Sequence, residues 1–445
     1  MDQKSGKNAF VLGPDGPMRP MDRYDAPRFM ADKAPVGFHV MIKPAGSACN
    51  LDCAYCFYLS KATLADGPGS RRMSDDVLET LVRSYIRDVT ADEVVFTWQG
   101  GEPTLCGLDF FHKVVSLQKK YAKPGQTIHN DLQTNGLLLD EAWCRFLKEN
   151  NFLVGLSIDG PEHLHDAFRY AKDGSPTHKK VVHAARLLRR FGVPFNTLAC
   201  VNSVNASHPL EVYRFLRDEV GSTHIQFTPV VEPRGFERAA PLLADGAHLP
   251  QMDDPRNRPG HPHSIVTDWS VDPEEWGTFL CTVFDEWRSR DLGKVLVNQF
   301  ETLVSQHLGL GPQMCVYAEA CGKAVAVEHD GRVYSCDHLV YPQYEIGNIQ
   351  ENRLRDIVLF RTQVRFGYAK AETLPRYCRN CAYLSDCRGE CPKNRLLRTP
   401  EGEPGLNYLC RGLKAFYAHA LPEVERIVAN LKRPKGSVKA AMLND

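Results

Sequence analysis

Eleven of the fifteen cysteines in this 445-residue chain fall in two groups. Cys49-x3-Cys53-x2-Cys56 puts three thiols within eight residues, and eight more lie between Cys315 and Cys410. Only Cys106, Cys144, Cys200 and Cys281 stand apart, and these four read as packing residues. Cysteines that served only as small core hydrophobes would have no reason to bunch in this way. Thiolate ligands would. The count is odd, and Met1-Asp2-Gln3-Lys4-Ser5-Gly6 lacks the apolar stretch of a secretory signal, so a disulfide framework is not expected. Three thiolates so close together suit a soft metal or an iron–sulfur cluster. Zinc usually closes four ligands, and the nearest further candidate is His39. A 4Fe–4S cube held by three cysteines keeps one iron open, where a substrate or cofactor can bind.

The rest of the chain is ordinary for a globular protein. Lys and Arg number 54 against 54 Asp and Glu, so the strong basic footprint of a nucleic-acid binder is missing. No run of about 18 apolar residues occurs, so no membrane span is expected. Residues 1–35 are rich in Gly, Pro and charge and read as an N-terminal extension. Short apolar runs then alternate with helical patterns. Strands are predicted at 38–42, 94–97, 128–133, 153–158, 195–201 and 224–228, and helices at 142–149, 179–191, 210–219 and 273–290. Ser74 is the expected N-cap of another helix, whose apolar face is Val77, Leu78, Leu81, Val82, Tyr85 and Ile86. Six strands separated by helices imply an α/β fold around a parallel sheet, with functional groups at the C-terminal strand ends. The unusual residues lie there: Cys49 to Cys56, Gly100 to Pro103, Thr134-Asn135-Gly136 and Asp159-Gly160. This places a barrel in 36–266 with a surface insertion at 233–263, a helical linker at 267–312, a Cys-rich domain at 313–420, and a C-terminal helix and basic tail at 421–445.

The first cysteine group, with Tyr55 just before its third member, resembles the signature of the radical S-adenosylmethionine (SAM) superfamily. The resemblance implies a partial (β/α)6 barrel whose open iron chelates the amino and carboxylate groups of SAM. Gln99-Gly100-Gly101-Glu102-Pro103 resembles the family's GGEP motif, which contacts the SAM amino group. The physics agrees: glycines allow close backbone approach, and Glu102 or nearby carbonyls can accept from an ammonium. Ser157 and Asp159 end a strand and can bond ribose or carboxylate, and Arg169 can pair with the SAM carboxylate. The resemblance makes Ser157 and Arg169 cofactor contacts, with Tyr55, Asn135 and Val231 as further candidates.

The second region runs Cys315-x5-Cys321-x14-Cys336, then Cys378-x2-Cys381-x5-Cys387-x3-Cys391, and finally Cys410. Eight thiolates make two four-ligand sets. Zinc ribbons are the rival reading, because Cys378-x2-Cys381 also opens many structural zinc sites. The arrangement resembles the SPASM domain of radical SAM peptide-modifying enzymes, which holds two auxiliary 4Fe–4S clusters. Carried over by position, Cys315, Cys321, Cys336 and Cys391 bind one, and Cys378, Cys381, Cys387 and Cys410 bind the other. From spacing alone, pairing of adjacent cysteines stays open.

Trp98 to Leu105, Ser335-Cys336-Asp337, Gly347-Asn348-Ile349 and Cys391-Pro392-Lys393-Asn394-Arg395 resemble the anaerobic sulfatase-maturating enzymes. These oxidise a Cys or Ser of a sulfatase to formylglycine. The resemblance implies a 5′-deoxyadenosyl radical that removes a Cβ hydrogen, and three 4Fe–4S clusters with SAM as cofactors. It also implies Asp337 as proton acceptor, with His338 as the rival, since an unperturbed imidazole titrates in the right range. The expected partners are an unfolded or nascent sulfatase polypeptide and a flavodoxin- or ferredoxin-type electron donor, for a monomer in the cytoplasm. Another SPASM-type maturase, such as one that forms thioether crosslinks in a ribosomal peptide, is the alternative.

Overall fold

A computed structural model describes residues 37–63, 72–241 and 248–432. The extension 1–35 and the basic tail from 433 lie outside the described residues. All six predicted strands form: β1 (His39–Lys43), β2 (Glu93–Trp98), β3 (Thr127–Thr134), β4 (Phe152–Ser157), β5 (Phe195–Val201) and β6 (His224–Pro229). They pair in chain order and in parallel. Burial alternates along β3: Asn130, Leu132 and Thr134 are buried, whereas His129, Asp131 and Gln133 keep accessible surface. One face packs on helices while the other lines an open lumen, as a barrel wall requires.

The Ser74 cap forms as predicted, with its hydroxyl accepting from the Val77 N–H at 3.3 Å, and the helix Asp75–Asp88 buries the predicted apolar face. Two predicted helices end differently. Pro209–Arg214 passes into a π-helical turn at Phe215–Glu219, and Pro273–Glu286 into another at Trp287–Asp291. The two turns face each other, with Arg217 bonded to Asp291 at 2.7 Å and Arg214 to Glu286 at 3.0 Å. An ion-pair contact across elements is invisible to helical periodicity.

The sheet does not stop at six strands. β7 (Leu296–Val297) adds in parallel beside β6. Beyond β1 lie β8 (Ala324–Glu328), β9 (Arg332–Tyr334) and β10 (Glu345–Asn348), giving the order β10-β9-β8-β1-β2-β3-β4-β5-β6-β7. β8 is parallel to β1 over all five residues, and β9 and β10 return antiparallel. The Cys-rich domain is therefore an extension of the barrel sheet rather than a detached module.

Three of the expected boundaries move. The insertion at 233–263 is, in its described part, a strap docked on the Cys-rich domain. Gln251 bridges Arg398, and the Met252 N–H donates to the Arg398 carbonyl at 3.0 Å. Phe236 and Ala240 are buried, with Tyr341 donating to the Phe236 carbonyl at 2.6 Å. The helical stretch 267–312 carries the helices Pro273–Glu286 and Asn298–His307, and it also supplies β7 to the barrel sheet. The last helix runs Cys410–Leu431, so a boundary at 420 would cut it. Its Val424, Ile427 and Val428 are buried as expected, but Leu431 is exposed.

That last helix crosses Pro273–Glu286 at two facing glycines. A Cβ on Gly412 would stand 1.9 Å from the Pro273 carbonyl oxygen, and one on Gly277 would stand 2.6 Å from the Gly412 Cα. Backbone meets backbone here, so no side chain can yield. Gly412→Ala is expected to force the helices apart at a cost of about 1–3 kcal/mol. Thermal unfolding of the reconstituted protein checks this, and an unchanged midpoint would refute it.

Candidate active site

The first cysteine loop is held by its backbone on two flanks. The turn after β2 bonds it on one side: Gln99 N–H to the Ile42 carbonyl, Gly101 N–H to Gly46, and Glu102 N–H to Ala48, each at 2.8 Å. On the other side the Asp52 N–H donates to Tyr170 at 2.9 Å and the Ala54 N–H to Phe168 at 3.0 Å. Both glycines of the GGEP turn are required. Gly100 has φ of +121°, and a Cβ on Gly101 would stand 2.0 Å from the Ala48 carbonyl oxygen.

Within the loop, burial pushes the Cys49 thiol up to about 11, and the Glu102 and Cys56 charges push the same way. Burial also raises Cys53 and Cys56, and Cys53 feels both other thiols. Thiols held in this way become thiolates readily beside a cationic core, which is what an iron cluster supplies. Asn135 donates toward Cys49 Sγ at 3.7 Å and to Asn50 Oδ1 at 2.7 Å.

Glu102 is buried and committed to the chain itself. Its carboxylate accepts from the Thr104 N–H at 3.0 Å and hydroxyl at 2.6 Å, the Thr134 hydroxyl at 2.8 Å and the Asn135 N–H at 2.8 Å. With its oxygens so engaged, the residue welds the strand ends of β2 and β3. The backbone carbonyls of the turn are the acceptors that stay available for an ammonium.

A second network closes the far side. Asp159, fully buried, accepts from Tyr55 Oη, from Arg169 Nε at 2.9 Å and from the Cys200 N–H at 2.9 Å. Asp159 is thus spent on its neighbours and unavailable to ribose. Arg169 keeps its terminal nitrogens, one of them 3.7 Å from Cys200 Sγ, and lies over the Tyr55 ring. Cys200 belongs to this polar network, unlike Cys106 and Cys144, which are core residues as expected. Ser157 accepts from Gln133 Nε2 at 2.9 Å in the lumen. Val231 is buried, and its carbonyl is taken by Lys393 Nζ.

The eight later cysteines sort into two sets, and the sorting crosses the sequence. Burial raises the Cys336 thiol, and the Cys391, Cys315 and Cys321 charges push the same way. Cys391 in turn feels Cys321 and Cys315. Cys410, pushed up to about 12 by burial, feels Cys378 and Cys381, and Cys387 feels Cys410 and Cys378. Cys378, Cys381, Cys387 and Cys410 line one cavity together with Tyr377, Tyr383 and Tyr417. Among the described residues no three His, Cys, Asp or Glu side chains close to the spacing that grips a single ion. This last set instead stands around a shared space.

The Cys391-Pro392-Lys393-Asn394-Arg395 motif holds this region together. Lys393 pairs with Glu232 at 2.7 Å, and Asn394 bonds Glu390 at 3.1 Å. Arg395 donates to the Lys370 carbonyl at 2.8 Å, while Lys370 Nζ caps the carbonyls of Cys315, Val316 and Ala318.

Asp337 lies beside Cys336 and forms an ion pair with Lys43, the last residue of β1. Burial alone would raise its carboxyl, but Lys43 and His338 outweigh that and hold it below the usual carboxylate range. For the rival, burial, with Lys393 adding to it, pushes His338 down to about 4, so its imidazole is neutral near pH 7. Lys61 is buried against the Tyr341 ring, 3.3 Å from its centroid, and burial lowers its ammonium to about 7. Lys43, Lys61 and Glu232 were missed from the sequence, and Lys393 was singled out there only as part of its motif. A lysine at the C-terminal end of an apolar strand, immediately before a ligand loop, was the available signal for Lys43.

Comparison with known proteins bears on the same residues. A radical SAM superfamily profile matches residues 44–216, and an iron–sulfur cluster-binding SPASM profile matches 315–382. The chain is 43 % identical over 405 residues to a serine-type anaerobic sulfatase-maturating enzyme of Bacteroides thetaiotaomicron, covering 90 % of this chain and 94 % of that one. It is 33 % identical over 396 residues to a cysteine-type enzyme of Clostridium perfringens, covering 88 % and 99 %. Among solved structures, native anSMEcpe with bound AdoMet and Cp18Cys peptide matches with a TM-score of 0.75 at 32 % identity, over 88 % of this chain and 99 % of that one.

Because Gly101 lies against backbone, Gly101→Ala should displace the first cysteine loop and spare the other two sets. Iron per chain should fall by about a third, from about twelve atoms to about eight. Iron analysis with electron paramagnetic resonance checks this, and full loading of all sites would refute it.

Proposed function

This chain belongs to the anaerobic sulfatase-maturating enzymes of the radical SAM superfamily, and from that premise we propose that it oxidises a seryl or cysteinyl residue of a sulfatase polypeptide to Cα-formylglycine. The observation that carries the reading is the position of Asp337. Its carboxylate sits between a ligand cysteine of the Cys-rich domain and the end of the strand that feeds the first cysteine loop.

When bound, SAM and the three 4Fe–4S clusters supply the redox chemistry, removing one hydrogen atom from the substrate Cβ and then one electron. The chain's own residues do the rest. Cys49, Cys53 and Cys56 would hold the SAM-binding cluster, Cys315, Cys321, Cys336 and Cys391 one auxiliary cluster, and Cys378, Cys381, Cys387 and Cys410 the other. Gln99, Gly100 and Gly101 would present backbone to the SAM ammonium, while Glu102 keeps that turn rigid. Arg169 offers its terminal nitrogens to the SAM carboxylate, and Tyr55, Ser157 and Val231 line the cofactor's side of the lumen. Asp337 accepts the proton that the substrate hydroxyl or thiol must lose. As a carboxylate held ionised by Lys43 it is ready for this at neutral pH.

Among the described residues no helix is long and apolar enough to cross a membrane. The reading adds a monomer in a reducing cytoplasm that takes its electrons from a flavodoxin- or ferredoxin-type donor and its substrate as an unfolded chain.

Anaerobic reconstitution, followed by mass spectrometry on serine- and cysteine-containing sulfatase peptides, tests the activity. Absence of the aldehyde from both peptides would refute it. Asp337→Asn should still cleave SAM, yet lose formylglycine formation by at least about 10²-fold. Near-normal product in that variant would remove Asp337 from the mechanism.

A further inference from the structure

We propose that Lys43 is the positioning residue for Asp337, holding one carboxylate oxygen so that the other faces the reacting side chain. The inference rests on the reading of Asp337 as proton acceptor. Lys43 Nζ donates to Asp337 Oδ1 across 294 residues of sequence. Lysine is almost never fully buried without a partner, yet Lys43 is only 2 % exposed. The Asp337 side chain keeps 16 % of its surface open, so the carboxylate is pinned without being sealed.

Lys43 ends β1, and Asp337 opens the short turn Asp337–Leu339 just past β9, so one sheet positions both ends of the pair. Lys43 is in register with Glu328 of β8. Asp337 follows β9, whose Tyr334 pairs with Ala326 of β8. The lysine stem is confined as well. Its ammonium lies 4.6 Å from the centroid of the Tyr58 ring, and the Tyr58 hydroxyl is bonded to Glu328. On the opposite side a Cβ at Gly100 would come within 3.0 Å of Lys43 Cδ, so the GGEP turn packs directly on the stem. Lys43 therefore touches the SAM-side turn at its middle and the base at its tip.

The chemistry needs such a fixture. A proton acceptor works only within hydrogen-bond reach of the atom it deprotonates, about 2.6–3.2 Å. A misplacement of about 1 Å can cost about 10²-fold in rate. Without Lys43 the carboxylate is free to turn about its side-chain bonds, and Cβ hydrogen removal would no longer be followed by timely loss of the proton. The cofactor would then be consumed without product.

The test measures formylglycine formed per 5′-deoxyadenosine released by the anaerobically reconstituted full chain, for wild type, Lys43→Met and Lys43→Gln. Iron content accompanies each sample. The expected result is a ratio lowered at least about ten-fold in Lys43→Met, with the peptide KM within about two-fold of wild type. A merely structural lysine would lower stability and iron loading but leave the ratio of the loaded fraction unchanged, and that outcome overturns the inference. If Lys43→Met takes up no iron, Lys43→Gln decides by the same ratio: its amide is one bond shorter and carries no charge, so the ratio should again fall, and a ratio equal to wild type overturns the inference. Wild-type chain that makes no formylglycine overturns the functional reading, and this inference with it. Wild-type product alongside a fully coupled Lys43 variant overturns the inference alone.

Discussion

The parallel pairing of β1 with β8 is the constraint on which the rest of the molecule depends. β1 carries the first cysteine loop from its C-terminal end, and on its other edge it carries the turn-bearing β2. β8 begins the hairpin that delivers Cys336 and Asp337. One strand thus sets the spacing between the first cysteine loop and the first auxiliary set. Hydrogen bonds along a strand make that spacing rigid, which a flexible linker between two domains would not.

Buried charge finishes what the sheet begins. Lys43 with Asp337 and Lys393 with Glu232 join elements that are distant in sequence, and Arg169 with Asp159 closes a local loop. Removing two charges from water costs several kcal/mol per ion, so such pairs contribute specificity of arrangement more than net stability. Here each pair draws a ligand-bearing loop toward the barrel: Lys393 follows Cys391, Asp337 follows Cys336, and Arg169 lies beside the segment that pairs with the loop of Cys53. The electrostatics and the placement of the thiols are one design.

Much of this was legible in the sequence. The six barrel strands and the Ser74 cap follow from local periodicity and capping chemistry, and the structure reproduces them. The GGEP glycines were expected to permit close backbone approach, and Gly101 against Ala48 is that approach. Other features were not legible. Glu102, through the GGEP motif, and Asp159, at a strand end, looked like ligand contacts, but partners such as Thr134, Asn135, Tyr55 and Cys200 are brought to them only by folding. His338 looked like a base because an isolated imidazole titrates near neutrality, and burial removes that property. The 233–263 stretch looked like a surface loop because it is polar and rich in proline, whereas a few buried residues such as Phe236 and Ala240 suffice to dock it.

By itself the sequence determined which residues can be ligands, how many sets they make, and at which strand ends they fall. Those are matters of residue type and short-range spacing, which survive without coordinates. Tertiary structure decided that Cys391 lies within electrostatic reach of Cys315, Cys321 and Cys336, that the Cys-rich domain continues the barrel sheet, and that a lysine at the end of β1 grips a carboxylate 294 residues away. Strand register and the partnering of buried charges are long-range choices. They are made by the free energy of the whole fold, and no local pattern encodes them.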